Sequence, residues 1–330
     1  LVRSRGLGDV YKRQALYDLE WLMTLDSRLK VDQNGRVYDI QIIEPLLDEN
    51  NRKYSLNNLS QKYLREEKYE DQINMEVSNR FGKRAKVKEN LWKLHSSYVK
   101  GYAMEDARLT LEIFKKQMAR VKSDKIEDIV EFESKLIPLL LNTRLKGVRV
   151  AQDRAETLYI ELKQKQELSQ KKLNKRASTD INVWANASIK RAYDKESIKY
   201  TYTDKGTPSF TQAWLEVQKD PISKCVLEIR KLDKIRNTFI KNMIMEKATK
   251  GRIHCQFHST GTITGRFSSS NPNLQQVPAR DQELAPLIRD LFLPEEGEDW
   301  VCADYAQQEP RVLVHYASLK NIDSALTARD

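Results

Sequence analysis

The sequence predicts an α+β fold, and three observations carry that reading. Apolar residues recur at helical spacing over long stretches, among them 102–114, 127–141 and 225–243. Short extended pieces follow helix-breaking signals, as in Val148-Arg149-Val150 after Gly147. A second apolar run, Trp300-Val301-Cys302-Ala303, follows the acidic loop 295–299 and reads as a short buried strand.

The chain has 330 residues, enough for two or three domains, and 40% of them are hydrophobic, enough for real cores. No apolar run approaches the roughly 18–20 residues of a membrane span. A formal net charge of +10 and a pI near 9.2 suit a polyanionic partner. Cys225, Cys255 and Cys302 are scattered and lack C-x-x-C spacing. They argue against a disulfide framework or a zinc site and fit a reducing cytoplasm.

Residues 1–14 have no periodicity and no signal-peptide core, and they read as non-native junction sequence. A pattern begins at Ala15, and Asp39-Ile-Gln-Ile-Ile-Glu-Pro-Leu-Leu-Asp48 follows. Tyr54-Ser-Leu-Asn-Asn-Leu-Ser60 is a capped helix start. In the amphipathic stretch 102–114, Tyr102 and Asp106 are four residues apart and share a helix face. That spacing lets a carboxylate hold a metal while a phenol orients a water; alone, it is a weak signal and reads first as a surface pair. Residues 154–176 form a charged helix with Leu158, Leu162 and Leu168 inward. Residues 203–209 are a turn. Cys225, Ile229, Leu232, Ile235, Phe239 and Met243 then keep one helical stripe, with Lys224, Arg230, Lys231, Lys234 and Arg236 on the remaining faces.

The densest chemistry lies in residues 260–311. Thr264-Gly265-Arg266 puts a flexible backbone beside a guanidinium. Asn273 and Gln275 are amides able to donate to minor-groove acceptors, which occur at every base pair. Asp304 ends the apolar run, and an acid there can hold Mg²⁺ through oxygen or cap the next helix. From Gln307 onward a helix is expected, with Pro310 tolerable in its first turn. His254 and His258 read as structural.

T-I-T-G-R-F-S-S-S-N-P-N-L-Q-Q-V-P at 262–278 and D-Y-A-Q-Q-E-P-R at 304–311 resemble the palm motifs of family A DNA polymerases. The Q-Q-E-P-R version looks like the bacteriophage branch. Upstream, Tyr17-Asp18, the 39–48 run and the Tyr102/Asp106 pair resemble the 3′→5′ exonuclease domain of those polymerases. The family's first acidic motif, D-x-E, is not found, and Gln14 stands where an Asn is expected.

The resemblance implies a partial ribonuclease H-like exonuclease domain at 15–125, a helical DNA-gripping thumb at 126–252 and the start of a palm at 253–330. It implies attack of a primer 3′-OH on the α-phosphate of a deoxynucleoside triphosphate, assisted by two Mg²⁺ ions. Asp304 and the Tyr305 carbonyl would be metal ligands, Glu309 would exclude ribonucleotides, and Arg311 would orient the cluster. Arg266, Asn273, Gln275, Arg280 and Arg289 would meet primer-template DNA or nucleotide. Asp18 and Asp106 would bind two Mg²⁺ ions in the exonuclease site, with Tyr102 orienting water. The second palm carboxylate and the fingers helix are not in the sequence, so the segment alone is expected to be inactive. Rival readings are a stand-alone 3′→5′ exonuclease and a catalytically dead DNA-binding module. The sequence specifies no processivity partner.

Overall fold

Gly147 sets the main change of structure in the chain. The helix Glu127–Lys146 ends there at φ +63°, and a Cβ at this position would lie 2.7 Å from His254 Nδ1 and 2.8 Å from the Ile253 carbonyl oxygen. Only glycine allows both the turn and that approach. The extended piece that follows, β1 (Val148–Val150), becomes the centre of a three-stranded antiparallel sheet. It pairs Val148 with Ile253 of β4 (Arg252–Ile253) and Val150 with Phe292 of β7 (Phe292–Leu293).

The computed structural model describes residues 19–21, 23–24, 37–51, 53–67, 70–262, 264–279 and 281–319. Residues 1–14, Asp18 and Arg280 lie outside this set. The chain divides into two units, Leu1–Leu293 and Pro294–Asp330. The fold is α+β, predominantly helical.

Among the described residues, 37–146 hold helices and no strand. Helix starts are fixed by side chains: Asp39 accepts from the Gln41 N–H at 2.7 Å, and Ser55 accepts from the Asn58 N–H at 3.2 Å, as its motif predicts. Ile40–Leu47, Leu56–Leu64 and Ser96–Asp124 bury Ile40, Ile43, Leu56, Leu59, Leu109 and Ile113 in one core. Each such side chain contributes roughly 1.5–3 kcal/mol. Glu44 lies wholly inside this region. Lys62 and Asn51 donate to its Oε1 at 2.6 and 2.8 Å, and Tyr63 and Gln117 donate to its Oε2 at 2.8 and 3.0 Å.

Two long helices, Gln152–Ala177 and Pro221–Lys234, pack along one another. Leu158 and Leu162 face inward as expected, but Leu168 is 59% exposed. The inward stripe continues through Ser169, Leu173 and Ala177, which keep the helical period that Leu168 misses by one residue. Ser169 joins the helices by donating to Glu228 Oε2 at 3.0 Å. A separate core around Tyr193, Phe210 and Trp214 supports the turn between β2 (Thr201–Tyr202) and β3 (Pro208–Ser209). After Lys234 the helix rewinds into a π-helix, Ile235–Met245. Its wider turn buries the neighbouring pairs Phe239/Ile240 and Met243/Ile244.

In the second unit, Gln308–Leu319 is helical, with Pro310 in its first turn. The run 300–303 does not form the buried strand expected of it: it is non-strand backbone, with Trp300 57% and Val301 88% exposed. A strand needs a neighbouring ladder for its N–H and C=O groups, and none pairs with this run among the described residues.

Candidate nucleic-acid interface

The first palm-like motif forms a hairpin and a clamp. β5 (Gln256–His258) pairs antiparallel with β6 (Ser268–Ser270) in the register Gln256↔Ser270, Phe257↔Ser269, His258↔Ser268. Gly261 and Gly265 shape the connection, since a Cβ on Gly261 would sit 1.8 Å from Ser268 Oγ and Gly265 has φ +72°. Thr262 Oγ1 donates to the Arg266 carbonyl at 2.8 Å, and the Arg266 side chain is exposed. His258 Nε2 lies 2.8 Å from Ser270 Oγ across the hairpin, and His254 Nδ1 lies 2.8 Å from the Arg144 carbonyl oxygen. Both are structural contacts, in keeping with the sequence reading.

Beyond the hairpin, Asn273 caps the 3₁₀ turn Leu274–Gln276. Its Oδ1 accepts from Ser269 Oγ at 2.8 Å and from the Gln275 N–H at 3.1 Å. This bonding turns the Asn273 oxygen inward and leaves its NH₂ without an acceptor among the described residues. Gln275 is exposed and donates through Nε2 to the Phe267 carbonyl at 3.0 Å. Arg289 is exposed and donates through Nε to the Pro278 carbonyl at 3.1 Å, which leaves its terminal nitrogens outward. Asn273, Gln275 and Arg289 are thus tied to one turn by local bonds.

Next to this turn lies a groove of about 750 Å³, lined by Trp184, Lys231, Lys234, Phe239, Gln276 and Asp281 among others. Lys234 forms no ion pair among the described residues, whereas Lys231 pairs with Asp281 at 2.6 Å. Two of the basic residues expected on free faces are turned inward. Arg230 donates to the Val183 and Phe210 carbonyls at 2.8 Å each, and burial lowers its pKa. Arg236 lies over the Tyr159 ring at 5.2 Å and pairs with Asp233 at 3.2 Å. A guanidinium can meet several fixed acceptors at once, which makes Arg useful as a brace. Sequence reading missed Ser269, the anchor of Asn273, and Trp184, an exposed indole at the groove edge. A lone Trp in the stretch Asn182-Val-Trp-Ala was the only available signal for the latter.

Within the second unit, Asp304, Tyr305, Glu309 and Arg311 are all exposed. Gln307, at φ +51°, precedes the helix, and its carbonyl accepts from the Arg311 N–H at 3.0 Å. Asp304 makes no capping hydrogen bond among the described residues, so the capping alternative finds no support. Glu309 lies in the first turn, where the helix dipole favours an acid. Arg311 Nε donates to the Ala306 carbonyl at 3.0 Å and so braces the loop that carries Asp304. In the first unit, Asp106 is fully buried and Tyr102 half-buried one turn before it. No group of three or more His, Cys, Asp or Glu suited to a metal occurs among the described residues.

Comparison with known proteins gives the family. DNA polymerase DpoZ of Salmonella phage PMBT28 is 31% identical over 342 residues, which cover 96% of this chain and 55% of that protein. A DNA-directed DNA polymerase of Pseudomonas phage M6 is 31% identical over 94% of this chain and 48% of its own. The thermostable DNA polymerase I of Thermus filiformis is 32% identical over 67% of this chain and 27% of its own. The chain therefore spans about half the length of the phage relatives it matches. The POL domain of Pol1 from M. smegmatis, solved in complex with DNA primer-template and dNTP, shares the fold with a TM-score of 0.65 at 21% identity, over 85% of this chain and 45% of that one. DNA polymerase family A matches residues 152–330. By its motifs, its phage relatives and this match, the chain belongs to DNA polymerase family A, in its bacteriophage-type branch.

Proposed function

We propose that this chain is the part of a DNA-directed DNA polymerase that grips the primer-template duplex and supplies the first metal ligand of nucleotidyl transfer. The observation that carries the reading is the clamp at 256–276, a hairpin and turn whose Asn273 and Gln275 are held by local hydrogen bonds beside a groove containing Lys234. Arg266, Asn273, Gln275 and Arg289, with Arg280, would contact the duplex at its minor groove and backbone. Such contacts check pair shape without reading sequence. The partners proposed are primer-template DNA and deoxynucleoside triphosphates. The three cysteines are free, which fits work in the reducing cytoplasm of a bacterial or phage-infected cell.

In the reaction proposed, the primer 3′-OH gives up its proton to water and its oxygen bonds to the α-phosphorus while the bond to the bridging oxygen breaks, releasing pyrophosphate. Asp304 is exposed and unpaired among the described residues, and with the Tyr305 carbonyl it offers the oxygen donors that suit Mg²⁺. When bound, Mg²⁺ supplies charge stabilisation at the entering and leaving oxygens. One carboxylate and one carbonyl do not hold two ions, so further ligands are needed. Glu309 would limit space at the sugar 2′ position, and Arg311 keeps the loop in place through Ala306.

A second activity, 3′→5′ exonuclease, is favoured by the burial of Asp106 beside Tyr102. Asp18 and Asp106 would bind its ions, and Tyr102 would orient the attacking water. Primer extension tests the main reading. In the polymerase that carries this segment, Glu309→Ala should raise ribonucleotide insertion relative to deoxyribonucleotide insertion while synthesis persists. An unchanged sugar preference would remove Glu309 from the site.

A further inference from the structure

Apart from the groove beside Lys234, the first unit holds a second cavity, of about 380 Å³. It lies between the end of helix Ile40–Leu47, helix Glu127–Lys146 and the loop that joins β5 to β6. Two polar atoms of its lining residues are buried and meet no partner among the described residues. One is Ser259 Oγ, on a residue only 4% exposed, and the other is Oε2 of Glu133. Burial raises the Glu133 pKa, and no neighbouring cation offsets that rise. The loop after Ser259 is held in shape by its own contacts. Thr262 Oγ1 donates to the Arg266 carbonyl at 2.8 Å, and Gly261 packs so closely on Ser268 that a Cβ would lie 1.8 Å from its Oγ. A buried polar atom left unmet is costly, and here two of them belong to one preformed space.

The lining selects its occupant by charge. Glu49, which is exposed, supplies a second acid, and no lysine, arginine or histidine lines the cavity among the described residues. A phosphate or carboxylate ligand would be repelled by both acids. A neutral alcohol would satisfy Ser259 but leave a carboxylate charge unmet. A divalent metal ion needs more oxygen donors of its own than two acids provide, and no group of three or more acids, His or Cys suited to a metal occurs among the described residues. Pro45 and Leu46 add an apolar wall, which suits a hydrocarbon stem better than a hydrated ion. A primary ammonium on a short alkyl chain answers each feature. Its N–H groups donate to Glu133 and Ser259, and its carbons cover the apolar wall.

We infer that the cavity lined by Glu133, Ser259, Glu49, Pro45 and Leu46 binds an aliphatic amine in its ammonium form. The inference does not depend on the polymerase reading, because it rests on the cavity, its unmet atoms and its charge. The test is calorimetric titration of the 330-residue chain with 1,4-diaminobutane at constant ionic strength, with butane-1,4-diol as the uncharged analogue. The diamine should bind and the diol should not. Glu133→Gln keeps the shape and removes the charge, and should weaken diamine binding about tenfold or more. Ser259→Ala should weaken it about threefold. Glu127→Gln, on the same helix but outside the cavity, should leave the affinity within about twofold. Thermal melting verifies that each variant is folded, and if Glu133→Gln does not fold, Ser259→Ala carries the decision. No diamine binding by the parental chain, or equal binding of the diol, would overturn the inference. So would unchanged affinity in the folded variants, which would leave only a general attraction to surface acids. Displacement of the diamine by excess Mg²⁺ at the same ionic strength would overturn it in favour of a metal site.

Discussion

Glu44 and Asp304 show how differently this chain treats two carboxylates. Glu44 is fully buried, and all its hydrogen-bonding capacity meets protein donors from 51, 62, 63 and 117. Asp304 lies on an exposed loop and bonds to nothing among the described residues. Burying an acid is tolerable only when its charge is met inside the protein. An acid left open keeps its oxygens available for a ligand. The first arrangement builds a scaffold and the second leaves the acid accessible.

The largest expected effect breaks the scaffold. Glu44→Ala leaves Lys62, Tyr63 and Gln117 facing an empty volume and should cost about 3 kcal/mol of stability, read by chemical denaturation. A pH series sharpens the point. Burial pushes the Glu44 carboxyl up, but hydrogen bonds from Lys62, Asn51, Gln117 and Tyr63 together pull it below its ordinary 4.5. A carboxyl whose folded pKa is depressed gives stability that is complete above about pH 4.5 and is lost as pH falls through the folded value. Stability of the wild-type chain should therefore decline below pH 4.5, and Glu44→Gln should flatten that decline. An equally steep decline in the variant would mean that other acids carry it.

At the open site the effect moves from stability to activity. Asp304→Asn should leave the unfolding free energy within about 0.5 kcal/mol, as for an exposed residue with no partner. In the polymerase carrying this segment it should lower primer extension roughly 100-fold or more. Parental extension rates in Asp304→Asn would make this acid a bystander.

The same contrast explains what the sequence made legible. Asp304, Tyr305, Glu309 and Arg311 could be put forward from sequence because they occupy one linear stretch. Asn273 and Gln275 could be put forward for the same reason, and the structure shows both held by local hydrogen bonds. Glu44 could not, since its partners are up to 73 residues away and no spacing rule joins them. The break at Gly147 was readable because a backbone turn needs its own residue. Leu168 misled because a charged helix leaves little apolar pattern to fix its phase, and Ser169, a polar residue, holds the inward position. The run 300–303 misled because strand formation depends on a neighbour, which local sequence does not specify. Arg230 and Arg236 read as solvent-facing charge, and only the packed structure provides the carbonyls and ring they brace.

A smaller effect tests the clamp itself. Ser269→Ala removes a donor to Asn273 Oδ1 and should cost about 1 kcal/mol. Its affinity for a primed duplex should fall more than that of Thr203→Ala, a surface change in the distant hairpin turn.

The measurement that tests the central claim most directly is binding of a labelled primer-template to the 330-residue chain across a salt series, with and without Lys234→Ala. The chain should bind without sequence preference, and the logarithm of its affinity should fall linearly with the logarithm of salt concentration. Lys234→Ala should weaken binding equally on every sequence and reduce the slope by about 1. Affinity independent of salt, or no binding at low salt, would contradict the assignment of this groove to duplex DNA.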